Sequence, residues 1–122
     1  DKVGIAQNAI FELQDKLTLK ELQNAQLYYN LGNYLGNNYE SAVIVARNAI
    51  KNYPYSKYKE ALELLILKAR YQEASISVDE RKADRFREVV DEYYSYINSY
   101  PDSPHRDEAE NIFKVAQRYV KD

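Results

Sequence analysis

A tyrosine-proline corner occurs twice in this chain, as Asn52-Tyr53-Pro54-Tyr55-Ser56 and as Ser99-Tyr100-Pro101-Asp102-Ser103. Each copy lies between two apolar-periodic segments. Proline removes a backbone donor and pushes the residue before it out of the helical region, so one helix stops near Tyr53 and another near Tyr100. Ser56 and Ser103 are then placed to open the next helices, with Pro104 at a first helical position. Tyr53, Pro54, Ser56, Tyr100, Pro101, Ser103 and Pro104 are the structural marks of the repeat.

The copies stand 47 residues apart (100 − 53), and the register extends past the corner on both sides. Before it, Tyr39 pairs with Phe86, Ala42 with Val89, Val43 with Val90, Ala46 with Tyr93 and Ile50 with Ile97. After it, Leu62 pairs with Ala109, Leu65 with Ile112, Ile66 with Phe113 and Ala69 with Ala116. All of these are core-type positions at helical spacing, so a helix-corner-helix unit is used at least twice.

The remaining segments read as further helices. Ala6, Ala9, Ile10, Leu13 and Leu17 form one stripe, expected to be the packed face of a first helix. Thr18 and Glu21 have capping-box spacing and should restart a second helix, with Leu22, Ala25, Tyr29 and Gly32 along its narrow face. Gly36-Asn37-Asn38 is a turn in which Asn38 is available to cap the helix that begins near Tyr39. After Ser56, the inward positions are Tyr58, Ala61, Leu62, Leu65 and Ala69, and Leu64, Ile66 and Leu67 make this the most buried helix. Ser77 and Glu80 again have capping-box spacing, ahead of the stripe Phe86, Val89, Val90, Tyr93, Ile97 and Tyr100. The last helix runs from Pro104 to about Val120. The expected fold is all-α, about six helices in antiparallel hairpins stacked as an α-solenoid and forming one domain over residues 1–122.

Net charge is −2 with both signs mixed along the chain, which gives no basic field for nucleic acid. The longest apolar run, Leu64 to Leu67, is far short of a membrane span. Absence of cysteine removes disulfides, thiolate metal sites and a cysteine nucleophile. The chain has no Met and begins at Asp1, so an upstream region, such as a signal peptide, is expected to be missing. The first stripe superposes on that of the last helix, which suggests a further proline-serine corner just upstream. If so, the Val3–Leu17 helix either frays or pairs with a second copy.

The inventory for chemistry is thin. His105 is the sole candidate metal ligand, with Asp107 and Glu108 nearby, but it sits at a helix start where acidic residues favour the dipole, and a site needs three or four converging ligands. No nucleophile-base pair is visible, so neither catalysis nor a cofactor is expected. Tyrosine offers a large rigid contact area with a polar tip, and the chain has 13. Tyr29, Tyr39, Tyr53, Tyr93 and Tyr100 fall on packing stripes or corners. Tyr28, Tyr34, Tyr55, Tyr71, Tyr94 and Tyr96 fit those stripes less well and are the candidates for a partner-binding surface. Within the alternating charges of residues 79–92, Arg81 and Arg85 are candidates to steer a partner, although such a run usually marks a solvated helix face.

Tyr28, Leu31-Gly32, Ala42, Ala49 and Pro54 resemble the signature of the tetratricopeptide repeat, with a shortened turn after the glycine; the spacing of 47 exceeds the repeat's ~34. A second resemblance covers nearly the whole chain. Ala25-Gln26-Leu27-Tyr28-Tyr29, then Gly36, Tyr39 and Ala42-Val43, then Asn52-Tyr53-Pro54 with Ser56, Ala61-Leu62 and Tyr100-Pro101-Asp102-Ser103-Pro104 with Glu108-Ala109 look like elements of the later repeats of the BamD family, tetratricopeptide-like lipoproteins of the outer-membrane β-barrel assembly machinery. The resemblance implies a C-terminal fragment at the periplasmic face of the bacterial outer membrane. It implies membrane association only through a lipid anchor that this chain lacks, and a scaffold role in docking on a BamA-like partner. The alternative is a general repeat adaptor that captures an extended peptide or partner helix in a concave groove.

Overall fold

A computed structural model describes residues 2–120, with side chains from residue 7. Five helices follow one another: α1 (Lys2–Leu31), α2 (Asn38–Asn52), α3 (Lys59–Ser75), α4 (Asp79–Ser99) and α5 (Arg106–Val120), with no strand among the described residues. Each helix packs on the next, α3 also packs on α1 and α5, and the backbones of α2 and α4 stand further apart, bridged by the ion pair of Arg47 with Glu92. Successive hairpins therefore approach more closely through their odd-numbered helices. The odd helices share one face of the stack, here the inner face.

The expected break at Thr18 does not occur. No glycine or proline lies between Ile5 and Leu31, so nothing in the backbone chemistry stops the helix, and a capping serine or threonine cannot act where the N–H groups ahead of it are already bonded. The Thr18 hydroxyl instead donates back to the Gln14 carbonyl at 2.6 Å, in a fully buried position against the rest of the stack. α1 is thus one rod of 30 residues, about 45 Å long, and the helix count is five. The first stripe is also corrected: Ala9, Ile10, Leu13 and Leu17 are exposed, and the Ala6 side chain lies outside those described. The buried side of α1 is Thr18, Leu22, Ala25 and Tyr29, packed with α2 and α3.

Gly32 ends α1 with φ +59°, and a Cβ there would stand 2.8 Å from the Tyr39 hydroxyl. Only glycine meets both demands, the left-handed backbone and the close tyrosine. Asn37, not Asn38, caps α2 by accepting from the Glu40 N–H at 3.2 Å. The second expected capping box also fails. The Ser77 hydroxyl donates to the Glu73 carbonyl at 2.7 Å, closing α3, and extended Val78 precedes α4 without a side-chain cap.

Both proline-serine corners form. In each, the serine oxygen accepts from the N–H two residues on, Tyr58 at 3.1 Å and His105 at 3.0 Å, and the serine carbonyl accepts from Lys59 or Arg106 at 3.2 Å. A single tight turn therefore leads into each helix, which starts at Lys59 or Arg106 rather than at the serine or at Pro104. α3 is the central rod, burying Leu62, Leu64 to Leu67, Ala69 and Ala74, as its nearly all-round apolar middle requires. Ala61 is the exception: it was expected inward and is exposed, because it lies on the inner face that no helix covers. Leu62, Leu65, Ile66 and Ala69 join the α1–α2 core, whereas Leu64, Leu67 and Ala74 join the α4–α5 core. One helix serves two cores, and this fixes adjacent hairpins against each other.

Candidate functional site

The inner face carries a groove of about 250 Å³ that takes side chains from all three odd helices: Tyr29 from α1, Lys68, Tyr71 and Gln72 from α3, and Glu108, Asn111, Ile112 and Val115 from α5. The helices cross here because the residues beneath, Leu65, Ala69 and Ala109, are buried and mostly small. The polar residues above them remain at the surface.

Lys68 organises the groove. Its ammonium lies 3.6 Å from the Glu108 carboxylate of α5 and 5.3 Å from the centre of the Tyr29 ring of α1. A half-exposed ion pair and a cation-π contact each contribute roughly 1 kcal/mol or less. Their effect is orientation: a long flexible cation is held across the floor. Tyr29 is braced edge-on by Tyr39, ring centres 5.6 Å apart. Burial, then the neighbouring Tyr39 and Glu108, push its hydroxyl above the ordinary tyrosine range, opposed by a hydrogen bond with Gln72. Tyr71 stands edge-on to Phe86, with centres 6.3 Å apart. The groove thus offers rigid aromatic edges, a cation, a carboxylate and two side-chain amides. That set suits a polypeptide, whose main chain both donates and accepts and whose side chains carry either charge.

At the end of the stack away from the proline corners, Glu73 is buried among polar partners. It accepts from Asn37 at 2.8 Å and from Arg70 at 3.0 Å, and Arg85 of α4 lies 3.4 Å away; Arg70 also donates to Glu40 at 2.7 Å. Burial opposes the Glu73 charge, but the hydrogen bonds from Asn37 and Arg70 and the charges of Arg70 and Arg85 outweigh it and hold the carboxyl below its ordinary range. The cluster ties the α1–α2 turn, α2, α3 and α4 together. Its role is to fix hairpin against hairpin.

The six candidate tyrosines do not converge. Tyr71 alone lines the inner groove. Tyr28, Tyr34 and Tyr55 are exposed on α1, the α1–α2 turn and the first corner respectively. Tyr94 is exposed on α4, against Phe113 at 5.3 Å between ring centres. Tyr96 is a correction: it is 2% exposed, and its hydroxyl lies 2.8 Å from both the Glu60 carboxylate and the Ser103 oxygen. It belongs to the second corner, since the position one turn before a proline corner faces the preceding odd helix. Arg85 is occupied by Glu73, and Arg81 is exposed on the rim of the same cluster. His105 is exposed at the second corner, and no group of three or more His, Asp or Glu side chains with metal-binding proximity occurs among the described residues.

Sequence reasoning passed over Lys68, Gln72 and Asn111 and weighed Glu108 only as a neighbour of His105; Tyr29, expected in the core, does pack against it and also edges the groove. A signal was present: Lys68 and Val115 occupy one repeat position, as do Ala61 and Glu108, and in both copies these lie off the buried stripe on the same side of an odd helix. No known protein-family model matches the chain, and neither does any curated protein sequence.

Proposed function

We propose that this chain is a non-catalytic helical-repeat scaffold that recognises another protein through the inner face of its odd helices. The observation that carries the reading is the three-helix groove in which Lys68 is held between Tyr29 and Glu108. Rigid aromatics with one oriented cation are the make-up of a polypeptide-binding surface, not of a reaction centre. The resemblance to the BamD family supplies the identity of the partner: a BamA-like protein of the outer-membrane β-barrel assembly machinery, met at the periplasmic face of that membrane. Membrane association there would run through a lipid anchor elsewhere in a longer protein. The adaptor reading, with an extended peptide or partner helix in the groove, is favoured by the same geometry and differs in the partner it names.

The test is a titration of this chain with the soluble periplasmic domains of a BamA-like protein and, separately, with a library of extended peptides. The scaffold reading expects micromolar binding to the BamA-like domains that Lys68→Glu weakens by about tenfold, or roughly 1.4 kcal/mol. Peptide binding alone, with the same sensitivity to Lys68→Glu, selects the adaptor. Binding to either that is untouched by Lys68→Glu and Tyr71→Ala removes the groove as its seat.

A further inference from the structure

The side of α1 turned away from the stack carries a regular pattern of its own. Ile10, Leu13, Leu17, Leu27 and Leu31, with Tyr34 just beyond the helix end, are between 39% and 66% exposed. Their spacing of three and four residues continues unbroken through Lys20 and Asn24, and in the sequence it extends back to Ala6 and Val3. This is the a/d pattern of a coiled coil, narrower than the stripe that packs a helix on a globular core. The residues of α1 that do pack on the stack, Thr18, Leu22, Ala25 and Tyr29, lie on the nearly opposite side. α1 therefore has two seams, and the described residues cover one.

From this geometry we infer that the outer seam of α1 is a self-association surface, on which a second copy of this chain docks with its α1 antiparallel. The pattern selects that occupant and orientation. Laid antiparallel about Leu22, the seam pairs Leu17 with the partner's Leu27 and Leu13 with the partner's Leu31. Lys20 then faces the partner's Asn24, so apolar meets apolar and polar meets polar at every layer. Laid parallel and in register, Lys20 would meet the partner's Lys20 in the middle of the seam, an unfavourable like-charge contact. Of the flanking positions, Gln7, Gln14, Gln23 and Asn30 are uncharged, and Lys16 comes beside the partner's Asn30, which leaves little to repel a copy. Glu21 is the like-charge pair that the two-fold axis brings together, and the partner's Lys20 lies within one turn of it. The layers from Leu13 to Leu31 span about 27 Å, and closed two-fold pairing uses the same patch on both copies, so association stops at the dimer. This surface is separate from the groove and does not rest on the function proposed for it.

The absence of cysteine makes the register directly testable. Sedimentation equilibrium of the whole chain should show a reversible monomer-dimer equilibrium, and Leu17→Glu should raise the dissociation constant by about tenfold or more with helix content unchanged. Under mild oxidation, an equimolar mixture of the Leu13→Cys and Leu31→Cys variants should cross-link, and neither variant alone should do so. A chain that stays monomeric at ~0.5 mM, well above weak-dimer concentrations, overturns the inference, as does one that binds only an unrelated heptad helix on this seam. Efficient cross-linking of Leu13→Cys alone overturns the antiparallel pairing.

Discussion

The two proline-serine corners share their backbone and differ in what stands behind them. At the first, Ser56 donates to Asp15 of α1 at 3.0 Å, and the same carboxylate oxygen accepts from the Lys57 N–H at 3.2 Å. At the second, Ser103 donates to Glu60 of α3 at 2.6 Å, and that oxygen also accepts from Tyr96. In both, a carboxylate from the odd helix of the preceding hairpin fastens the corner, a device that the 47-residue period alone does not reveal. Ala49 stands where Tyr96 does, and the first carboxylate hangs from a rod that runs on past the corner. The first corner therefore has its serine buried but no aromatic ring behind it, and is latched by hydrogen bonds alone. The second is sealed by aromatic rings: burial pushes the Tyr96 hydroxyl up to about 12, and burial together with Glu63 raises that of Tyr100 further. One turn motif can thus hold a soft joint or a hard one, depending on the side chain one turn upstream.

The contrast can be broken most directly at Tyr96. Tyr96→Ala should destabilise the fold by roughly 3–5 kcal/mol, because it empties a large aromatic site and strands Glu60 and Ser103. Chemical denaturation would measure it, and a loss under 1 kcal/mol would show that the second corner is no harder than the first. Next come the latches. Glu60→Ala should cost about 2 kcal/mol, since buried Tyr96 and half-buried Ser103 both lose their acceptor, whereas Asp15→Ala should cost about 1 kcal/mol, since Ser56 and one exposed backbone N–H lose theirs. Equal losses, or the reverse order, would remove the asymmetry.

Alkaline titration sharpens the same point. The Tyr96 hydroxyl has an ordinary value of 10.0 and a folded value of about 12, so the folded chain holds its proton where the unfolded chain has lost it. Stability should be fully present below pH 10 and fall through the window from 10 to 12. Tyr96→Phe should lessen that fall, the part due to Tyr29, Tyr93 and Tyr100 remaining, as followed by circular dichroism. The smallest effect is expected on the acid side, from the Glu73 cluster at the other end of the stack. Its folded carboxyl lies below the ordinary value of 4.5, so its contribution is present above that value and is lost as pH falls through the folded one. Glu73→Gln should reduce the slope of acid unfolding by at most one proton, with neither corner affected.

Much of the fold could be read from residues close together in the chain. The corners follow from Tyr53-Pro54 and Tyr100-Pro101, and the central place of α3 follows from an apolar run with no polar side. The stripes of α2 and α4 follow from their spacing. Thr18 and Ser77 have the right neighbours for a cap, yet their hydroxyls bond backward to Gln14 and Glu73, because in each the helix behind already offers a carbonyl one turn back. Elsewhere local reading failed where a distant contact intervened. Tyr96 looked peripheral because its partners, Glu60 and Ser103, are 36 and 7 residues away. The groove was hidden for the same reason, since Tyr29, Lys68 and Glu108 are neighbours only once three helices are stacked.

By itself, the sequence determined that this chain is a series of amphipathic rods with two hinges at fixed positions, because proline geometry and apolar spacing act within a few residues. The tertiary structure alone decided which tyrosines are buried and which side chains share the inner face. Those outcomes depend on what a helix is packed against, and a residue's chemistry specifies which contacts it can satisfy without specifying which of them the fold will bring to it.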